Sequence, residues 1–121
     1  MRVLIADDDP VVRDLLSAVF GSSDLEITLA RDGEEALTVA HDTRPDYVIL
    51  DYMMPKLDGL SVCRRLRRDP RTADARIVML TASRSQSVQA WREAGADACL
   101  GKPFGALALM DAVLGRPGAR R

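Results

Sequence analysis

Five short apolar runs recur along the chain, and a segment with helical spacing of residues follows each of them. The runs predict strands over residues 2–6, 25–30, 46–51, 75–80 and 97–101. The first, third and fourth runs are almost continuous in Val, Ile and Leu, which is typical of strands buried on both faces. The second run alternates more and indicates an edge strand. Alternating strands and helices predict right-handed crossovers and a parallel sheet with helices on both faces, an α/β fold.

The helical segments carry start and stop signals. Asp9 is the predicted N-cap of the first helix and Pro10 its first residue, because a capping side chain accepts a backbone N–H and proline needs no partner there. Acidic residues open the second helix after Gly33, and the third ends near Asp69 and Pro70. Helical spacing marks the first, fourth and fifth helices at Val11, Leu15, Ala18 and Val19, at Val88, Trp91 and Gly95, and at Leu107, Met110 and Leu114.

Length, composition and charge narrow the class of protein. With 121 residues, of which 47% are apolar and 29% charged, the chain is long enough for one domain with its own core. Its 17 basic and 18 acidic residues nearly balance, so we expect no direct nucleic-acid binding. The basic run over residues 64–68 is interpreted as a solvated helix face. Neither an apolar stretch of about 18 residues nor a signal-peptide pattern occurs, which predicts a cytoplasmic protein without membrane contact.

Two cysteines, the histidine and the tryptophan are of residue types that often have functional roles, but the sequence predicts structural roles for them here. Cys63 and Cys99 lie in apolar or helical patterns without CxxC spacing, so we interpret both as small buried hydrophobes in a reducing compartment. His41, the single histidine, is expected to be solvated near the end of the second helix. Trp91 is expected to pack partly on the core, and a ring that faces a partner is the alternative.

Polar residues follow four of the five predicted strands, where each strand ends. They are Asp7, Asp8 and Asp9 after the first strand, Asp51 at the end of the third, Thr81 after the fourth and Lys102 after the fifth. In an open parallel sheet, ligands bind outside the carboxyl ends of the strands. Crowded carboxylates need a cation, and oxygen ligands without histidine or thiolate favour Mg²⁺. With lysine and hydroxyl donors beside them, these groups predict phosphoryl transfer to an aspartate nucleophile.

Four motifs at these strand ends are similar to those of a known family. LIADDDP, VILDYMMPKLDG, MLTAS and ADACLGKPF occur in the order and at the spacing of the receiver domain of two-component response regulators. The resemblance spans residues 2–114. It implies a doubly wound, flavodoxin-like (βα)5 fold with five parallel strands in the order 2-1-3-4-5. We expect the receiver domain over residues 1–114 and a linker stub or disordered tail over residues 115–121.

The resemblance implies a role for each residue at the cation site. Asp51 would be the phosphoacceptor that takes a phosphoryl group from a phosphohistidine of a histidine kinase. Asp7 and Asp8 would hold Mg²⁺, with Asp8 as a direct ligand and Asp7 acting largely through water. The backbone carbonyl of Met53 would complete the metal shell together with Asp51. Lys102 would pair with the phosphoryl oxygens.

The remaining implied roles concern the switch and the loops. Thr81 would bond to the phosphoryl oxygens once phosphorylation occurs. The peptide bond before Pro103 would be cis, which costs an X–Pro bond only about 0.5–1 kcal/mol. Asp58 and Gly59 would turn the chain into the third helix, with the glycine accepting a positive φ. Asp9 remains as the cap of the first helix.

The chain departs from the family pattern in two respects. Cys99 occupies the switch position three residues before Lys102, where the family usually carries Tyr or Phe. A thiol cannot swing a ring between buried and exposed positions, so we expect the activated surface to be remodelled in another way. Met53 and Ser83 occupy the two positions that commonly influence attack of water on the aspartyl phosphate. An apolar methionine cannot orient water, which predicts a long-lived phosphorylated state.

The expected function is therefore a phosphorylation-controlled signalling domain and not an enzyme. Its partners would be a sensor histidine kinase or phosphotransfer protein, and an output domain or downstream protein on the face of the fourth helix, fifth strand and fifth helix, with a homodimer as a further option. A phosphorylation-independent binding module is the alternative, and only Cys99 at the switch position supports it. A phosphohydrolase has little support, because Met53 stands where such an enzyme needs a second acid. Both a stand-alone receiver and a longer chain cut in the linker stay open.

Overall fold

A five-stranded sheet lies at the centre of the structure, a computed structural model that describes residues 1–21, 25–81, 88–102 and 105–114. The strands are β1 (Arg2–Ala6), β2 (Glu26–Ala30), β3 (Tyr47–Asp51), β4 (Arg76–Thr81) and β5 (Ala98–Gly101). They pair in parallel in the order β2-β1-β3-β4-β5. The predicted order and the edge position of the second strand are confirmed, and every strand end agrees with its prediction to within one residue.

Helices cover both faces of this sheet. They are α1 (Pro10–Phe20), α2 (Gly33–Thr43), α3 (Gly59–Arg68), α4 (Val88–Ala94) and α5 (Ala106–Leu114). On one face, α2, α3 and α4 pack over a core that includes Leu4 and Val48. On the other face, α1 and α5 pack over Val3 and Ile49. Because side chains alternate along a strand, sequence neighbours enter different cores. The predicted doubly wound α/β architecture is confirmed.

The buried side of α1 differs from the positions that the sequence spacing marked. Val11 and Leu15 are 71% and 53% exposed, whereas Leu16 and Phe20 are fully buried. The helix carries apolar residues on two adjacent sides, and each step along the chain turns the side chain by about 100°. The spacing therefore identified the helix correctly but did not determine which side faces the sheet.

Arg67 corrects the interpretation of the basic run in α3 as a solvated face. Its neighbours at 64, 65 and 68 are exposed, but the Arg67 side chain is only 17% exposed. Its guanidinium donates hydrogen bonds to the carbonyl oxygens of Gly95 at 2.8 Å and Ala73 at 2.7 Å, to that of Ala75, and to the Asp97 carboxylate at 2.9 Å. Arg67 therefore ties α3 to the segments that precede β4 and β5.

Gly59 is required for a different reason from the one predicted. The expected positive φ is wrong, since among the described glycines that conformation occurs at Gly95, with φ of 101°. A Cβ on Gly59 would lie 2.4 Å from the carbonyl oxygen of Asp51. Asp58 caps α3, because its carboxylate accepts a hydrogen bond from the backbone N–H of Ser61 at 2.8 Å. The chain thus needs a residue without a side chain where α3 begins against the end of β3.

The other structural expectations have mixed outcomes. Asp9 is confirmed as the N-cap of α1, accepting from the backbone N–H of Val11 at 2.9 Å. Cys63 is fully buried as expected, whereas Cys99 is only half-buried.

His41 lies at the surface as expected, but it is paired, with Nε2 3.0 Å from the Asp69 carboxylate. Within the described ranges, no helix is long and apolar enough to cross a membrane.

Candidate functional site

The register of the sheet brings four of the predicted site residues to one edge. Ala6 of β1 lies opposite Leu50 of β3, so the residues that follow, Asp7 and Asp51, emerge beside each other. Asp51 lies opposite the β4 residue that directly precedes Thr81. Thr81, at the end of β4, lies opposite Gly101 of β5, which directly precedes Lys102. Parallel strands thus deliver two acids, a hydroxyl and an amine to the ligand-binding edge of the fold.

Lys102 links two of the acids. Its Nζ lies 2.9 Å from Oδ2 of Asp7 and 3.2 Å from Oδ1 of Asp51. Burial lowers the pKa of Lys102, but its hydrogen bonds to these carboxylates and their negative charge outweigh that effect and raise the pKa. The backbone N–H of Lys102 also donates to the carbonyl oxygen of Thr81 at 2.7 Å. The amine is therefore held in the cleft as a cation.

Asp51 is a buried acid with a raised pKa. It is only 6% exposed. Burial, and then the charge of Asp7, raise its pKa from 3.8 to about 6, while Lys102 opposes this rise. A raised pKa next to a lysine shows that one amine does not compensate the burial of Asp51 and the charge of the neighbouring carboxylates. The site favours a further cation.

The donor set fits a magnesium ion. One carboxylate oxygen from each of Asp7, Asp8 and Asp51 lies within 4.8 Å of the others. Asp7 is fully buried and Asp8 is exposed, so the cluster has a closed inner side and an open outer side. Hard oxygen ligands with room for water and phosphate oxygens are the environment in which proteins bind Mg²⁺. Neither histidine nor thiolate joins this cluster within the described residues, so its chemistry is that of a hard cation.

A small cavity lies beside this edge, beneath α4. It has a volume of about 10 Å³, room for about one water molecule, and is lined by Tyr52, Leu60, Met79, Thr81, Ala90, Trp91 and Cys99. Trp91 and Cys99 are both partly buried against the core between the sheet and α3. Burial raises the pKa of the Cys99 thiol, which therefore stays protonated at neutral pH. The switch position and the indole ring thus share one space with Thr81.

Some predicted features lie outside the described residues, and one contact was not foreseen. The cis peptide at Pro103, the position of Ser83 and the tail over residues 115–121 all fall outside the described ranges. The unforeseen contact is that Arg13 of α1 donates to the backbone carbonyl oxygen of Asp7 at 2.7 Å. An arginine one turn into the helix that follows an acidic stretch was the available signal, but only the folded loop shows which atom it reaches.

The chain belongs to the response regulator receiver domain family. The family model, described as the response regulator receiver domain, matches residues 3–114. Among curated relatives, the response regulator MprA of Mycobacterium sp. is 46% identical over 120 residues, which cover 96% of this chain and 51% of MprA. The chain spans about half the length of the curated relatives that it matches.

Solved structures agree with this assignment. A response regulator from Chloroflexus aurantiacus has a TM-score of 0.81 and 38% identity, with 90% of each chain covered. The receiver domain of the sensor histidine kinase PA1611 from Pseudomonas aeruginosa has a TM-score of 0.81 and 31% identity, again with 90% of each chain covered. That second structure carries a magnesium ion coordinated in its active-site cleft. The cluster at the edge of the sheet is therefore the acidic site of a receiver domain.

Proposed function

We propose that this domain accepts a phosphoryl group on Asp51 from the phosphohistidine of a sensor histidine kinase or a phosphotransfer protein, and that the modified domain signals by protein contact. The observation that carries this proposal is the convergence of Asp7, Asp8, Asp51 and Lys102. In the transfer, an Asp51 oxygen forms a bond to phosphorus while the phosphorus–nitrogen bond to the donor imidazole breaks. The imidazole leaves with the electron pair and takes up a proton. The domain turns over no other substrate and is a signalling domain.

The protein contributes position and charge to this transfer. Asp51 is the nucleophile in its unprotonated form, and Lys102 lies close enough to pair with an oxygen of the incoming group. Asp8 would be the direct metal ligand on the open side, whereas both Asp7 oxygens already accept hydrogen bonds, which favours contact through water. Asp51 and the backbone carbonyl of Met53 would complete the metal shell. The magnesium ion, when bound, supplies neutralisation of the phosphoryl charge.

The switch residues in this proposal are Thr81 and Cys99, coupled through Trp91. Thr81 bonds to the phosphoryl oxygens after transfer, and its side chain forms part of the wall of the cavity beneath α4. Because Cys99 carries no ring and Trp91 lines the same cavity, the Trp91 ring takes the part that an aromatic residue on β5 has in the family. The face of α4, β5 and α5 then presents a changed surface to an output domain, a downstream protein or a second copy. The phosphoryl group would stabilise one of two existing arrangements.

The domain is proposed to extend over residues 1–114 and to work in the cytoplasm. A phosphorylation-independent binding module is the second candidate, since Cys99 lies at the switch position without a ring. The two are separated by incubation with acetyl phosphate and Mg²⁺, followed by intact mass spectrometry and Trp91 fluorescence.

The matched variants for this test are Asp51→Asn and Asp9→Asn, two amide replacements in the acid-rich loops. We expect the wild type and Asp9→Asn to gain one phosphoryl group with a change in fluorescence, and Asp51→Asn to gain none. Asp9 is a suitable control because its carboxylate caps α1, a role that asparagine fulfils equally well. Mg²⁺ binding without any mass gain in the wild type would favour the binding module.

A further inference from the structure

Asp8 differs from the other acids of the cluster in how its carboxylate is oriented. Asp7 is held at its backbone N–H by Ala30 at 3.1 Å, at Oδ1 by the N–H of Asp9 at 2.9 Å, and at Oδ2 by Lys102 at 2.9 Å. Asp8 is exposed, and within the described residues its carboxylate accepts no hydrogen bond. Its direction therefore depends on the backbone from which the side chain departs.

That backbone is fixed by Arg13. The Arg13 guanidinium donates from Nη1 to the carbonyl oxygen of Asp7 at 2.7 Å. This oxygen belongs to the planar peptide unit that joins Asp7 to Asp8, so holding it sets the orientation of the N–Cα bond of Asp8. Arg13 is itself anchored, because its backbone N–H donates to the carbonyl oxygen of Asp9 at 3.0 Å in the first turn of α1. The same helix thus carries both the cap and the arginine that fasten the acidic loop.

We propose that Arg13 is a positioning residue that aims the Asp8 carboxylate at the metal site through the peptide unit between Asp7 and Asp8. The inference rests on the proposed function, since it concerns the same Mg²⁺ site. It assigns to Arg13 an action on metal affinity that is separate from any contact with the phosphoryl group. Removing a partner that orients a metal ligand typically costs 10–100-fold in affinity, and we expect about tenfold here.

Whether replacement of Arg13 weakens or tightens Mg²⁺ binding distinguishes a positioning role from a simple effect of its charge. A guanidinium beside a cation site repels the cation, so loss of its charge alone would tighten Mg²⁺ binding. Loss of positioning would weaken the binding instead. Arg13→Met removes both the charge and the hydrogen bond, whereas Arg13→Lys keeps the charge and one donor group but not the planar fork. Arg31 provides the control, because it lies after β2 at the same edge and pairs with Glu35 at 3.2 Å.

The experiment is calorimetric titration of Mg²⁺ into the wild type, Arg13→Met, Arg13→Lys and Arg31→Met, with urea unfolding of each protein in EDTA. We expect Arg13→Met to bind about tenfold more weakly, Arg13→Lys to lie between it and the wild type, and Arg31→Met to stay within about twofold of the wild type. The metal-free urea midpoints should agree closely, because Arg13 is only partly buried and lies outside the two hydrophobic cores.

Two results would overturn the inference while leaving the proposed function standing. One is Mg²⁺ binding by Arg13→Met that equals or exceeds that of the wild type. The other is weaker binding accompanied by a lower urea midpoint in EDTA, which would assign Arg13 to the stability of the fold. Absence of Mg²⁺ binding by the wild type would instead contradict the proposed metal site itself, and the inference with it.

Discussion

Replacing Asp51 by asparagine is expected to stabilise the metal-free protein above about pH 6, although it removes the proposed phosphoacceptor. Burial, and then the carboxylate of Asp7, raise the pKa of Asp51 from 3.8 to about 6, against the attraction of Lys102. At pH values between 3.8 and about 6, Asp51 is largely protonated in the folded protein but ionised in the unfolded protein. The free energy of unfolding therefore falls as the pH rises through this window, and above it the full cost of ionising Asp51 remains.

The size of the effect follows from the pKa shift. A shift of about two units corresponds to about 3 kcal/mol if it is fully expressed. The cleft opens to solvent beside the exposed Asp8, so screening reduces the gain, and we expect about 1–2 kcal/mol. Asparagine has nearly the same volume as aspartate and keeps an oxygen that can accept from Lys102. Mg²⁺ should reverse the order of stability, because an ion that binds only the folded state stabilises the protein that binds it more tightly.

The assay is urea unfolding followed by far-UV circular dichroism, in EDTA and in Mg²⁺, at about pH 4 and about pH 8. In EDTA the variant and the wild type should differ little at the lower pH, and the variant should be more stable at the higher pH. Asp9→Asn is the matched control, and its stability should equal that of the wild type at both pH values. A variant less stable than the wild type at about pH 8 in EDTA would refute the reasoning from charge crowding.

Three further predictions concern other parts of the structure. Arg67→Met should destabilise the protein by about 3–5 kcal/mol in urea unfolding, because it removes the ion-pair partner of the Asp97 carboxylate, whose side chain is 12% exposed, and a donor to three carbonyl oxygens. Arg65→Met should change stability by less than about 0.5 kcal/mol. Gly59→Ala should cost about 1–3 kcal/mol, since its Cβ would lie 2.4 Å from the carbonyl oxygen of Asp51, and should slow phosphorylation by acetyl phosphate. Met53→Asn should shorten the lifetime of the phosphorylated protein, measured by mass spectrometry after removal of the phosphodonor.

Each of these predictions has a contrary outcome. Equal urea midpoints for Arg67→Met and Arg65→Met would show that the buried contacts of Arg67 do not stabilise the fold. Full stability and a normal phosphorylation rate in Gly59→Ala would show that the backbone relaxes easily at the start of α3. An unchanged lifetime of the phosphorylated Met53→Asn variant would show that Met53, which is 70% exposed, does not control access of water to the aspartyl phosphate.

The strands and their order were predictable because buried parallel strands are read directly from continuous apolar runs. β1 is predicted to the residue, and the polar residues at the strand ends gather at one edge because parallel strands all point the same way. The side of α1 that faces the sheet was not predictable, since Val11 and Leu15 are apolar but exposed, while the apolar residues Leu16 and Phe20 on an adjacent side are buried. Helical spacing identifies a helix, but the sheet decides which of two apolar sides is buried.

Contacts between segments that are distant in the sequence were also not predictable from it. Arg67 looks like its neighbours in the basic run, and only the arrival of the segment before β5 turns it into a buried donor. Gly59 looks like a turn residue, yet it is required by the approach of the end of β3. Arg13 carries no motif that identifies its contact with the Asp7 carbonyl oxygen. Residue type and spacing therefore predicted which residues meet at this edge of the sheet but not the residues that hold them in place.

The most direct test of the central claim is to locate the phosphoryl group. The protein is phosphorylated with acetyl phosphate and Mg²⁺ and then treated with borohydride, which reduces an aspartyl phosphate to homoserine, and the product is mapped by peptide mass spectrometry. The proposed function predicts homoserine at position 51 and at none of the aspartates at positions 7, 8 and 9. Homoserine at one of those three positions, or at no position while Mg²⁺ binds, would contradict it.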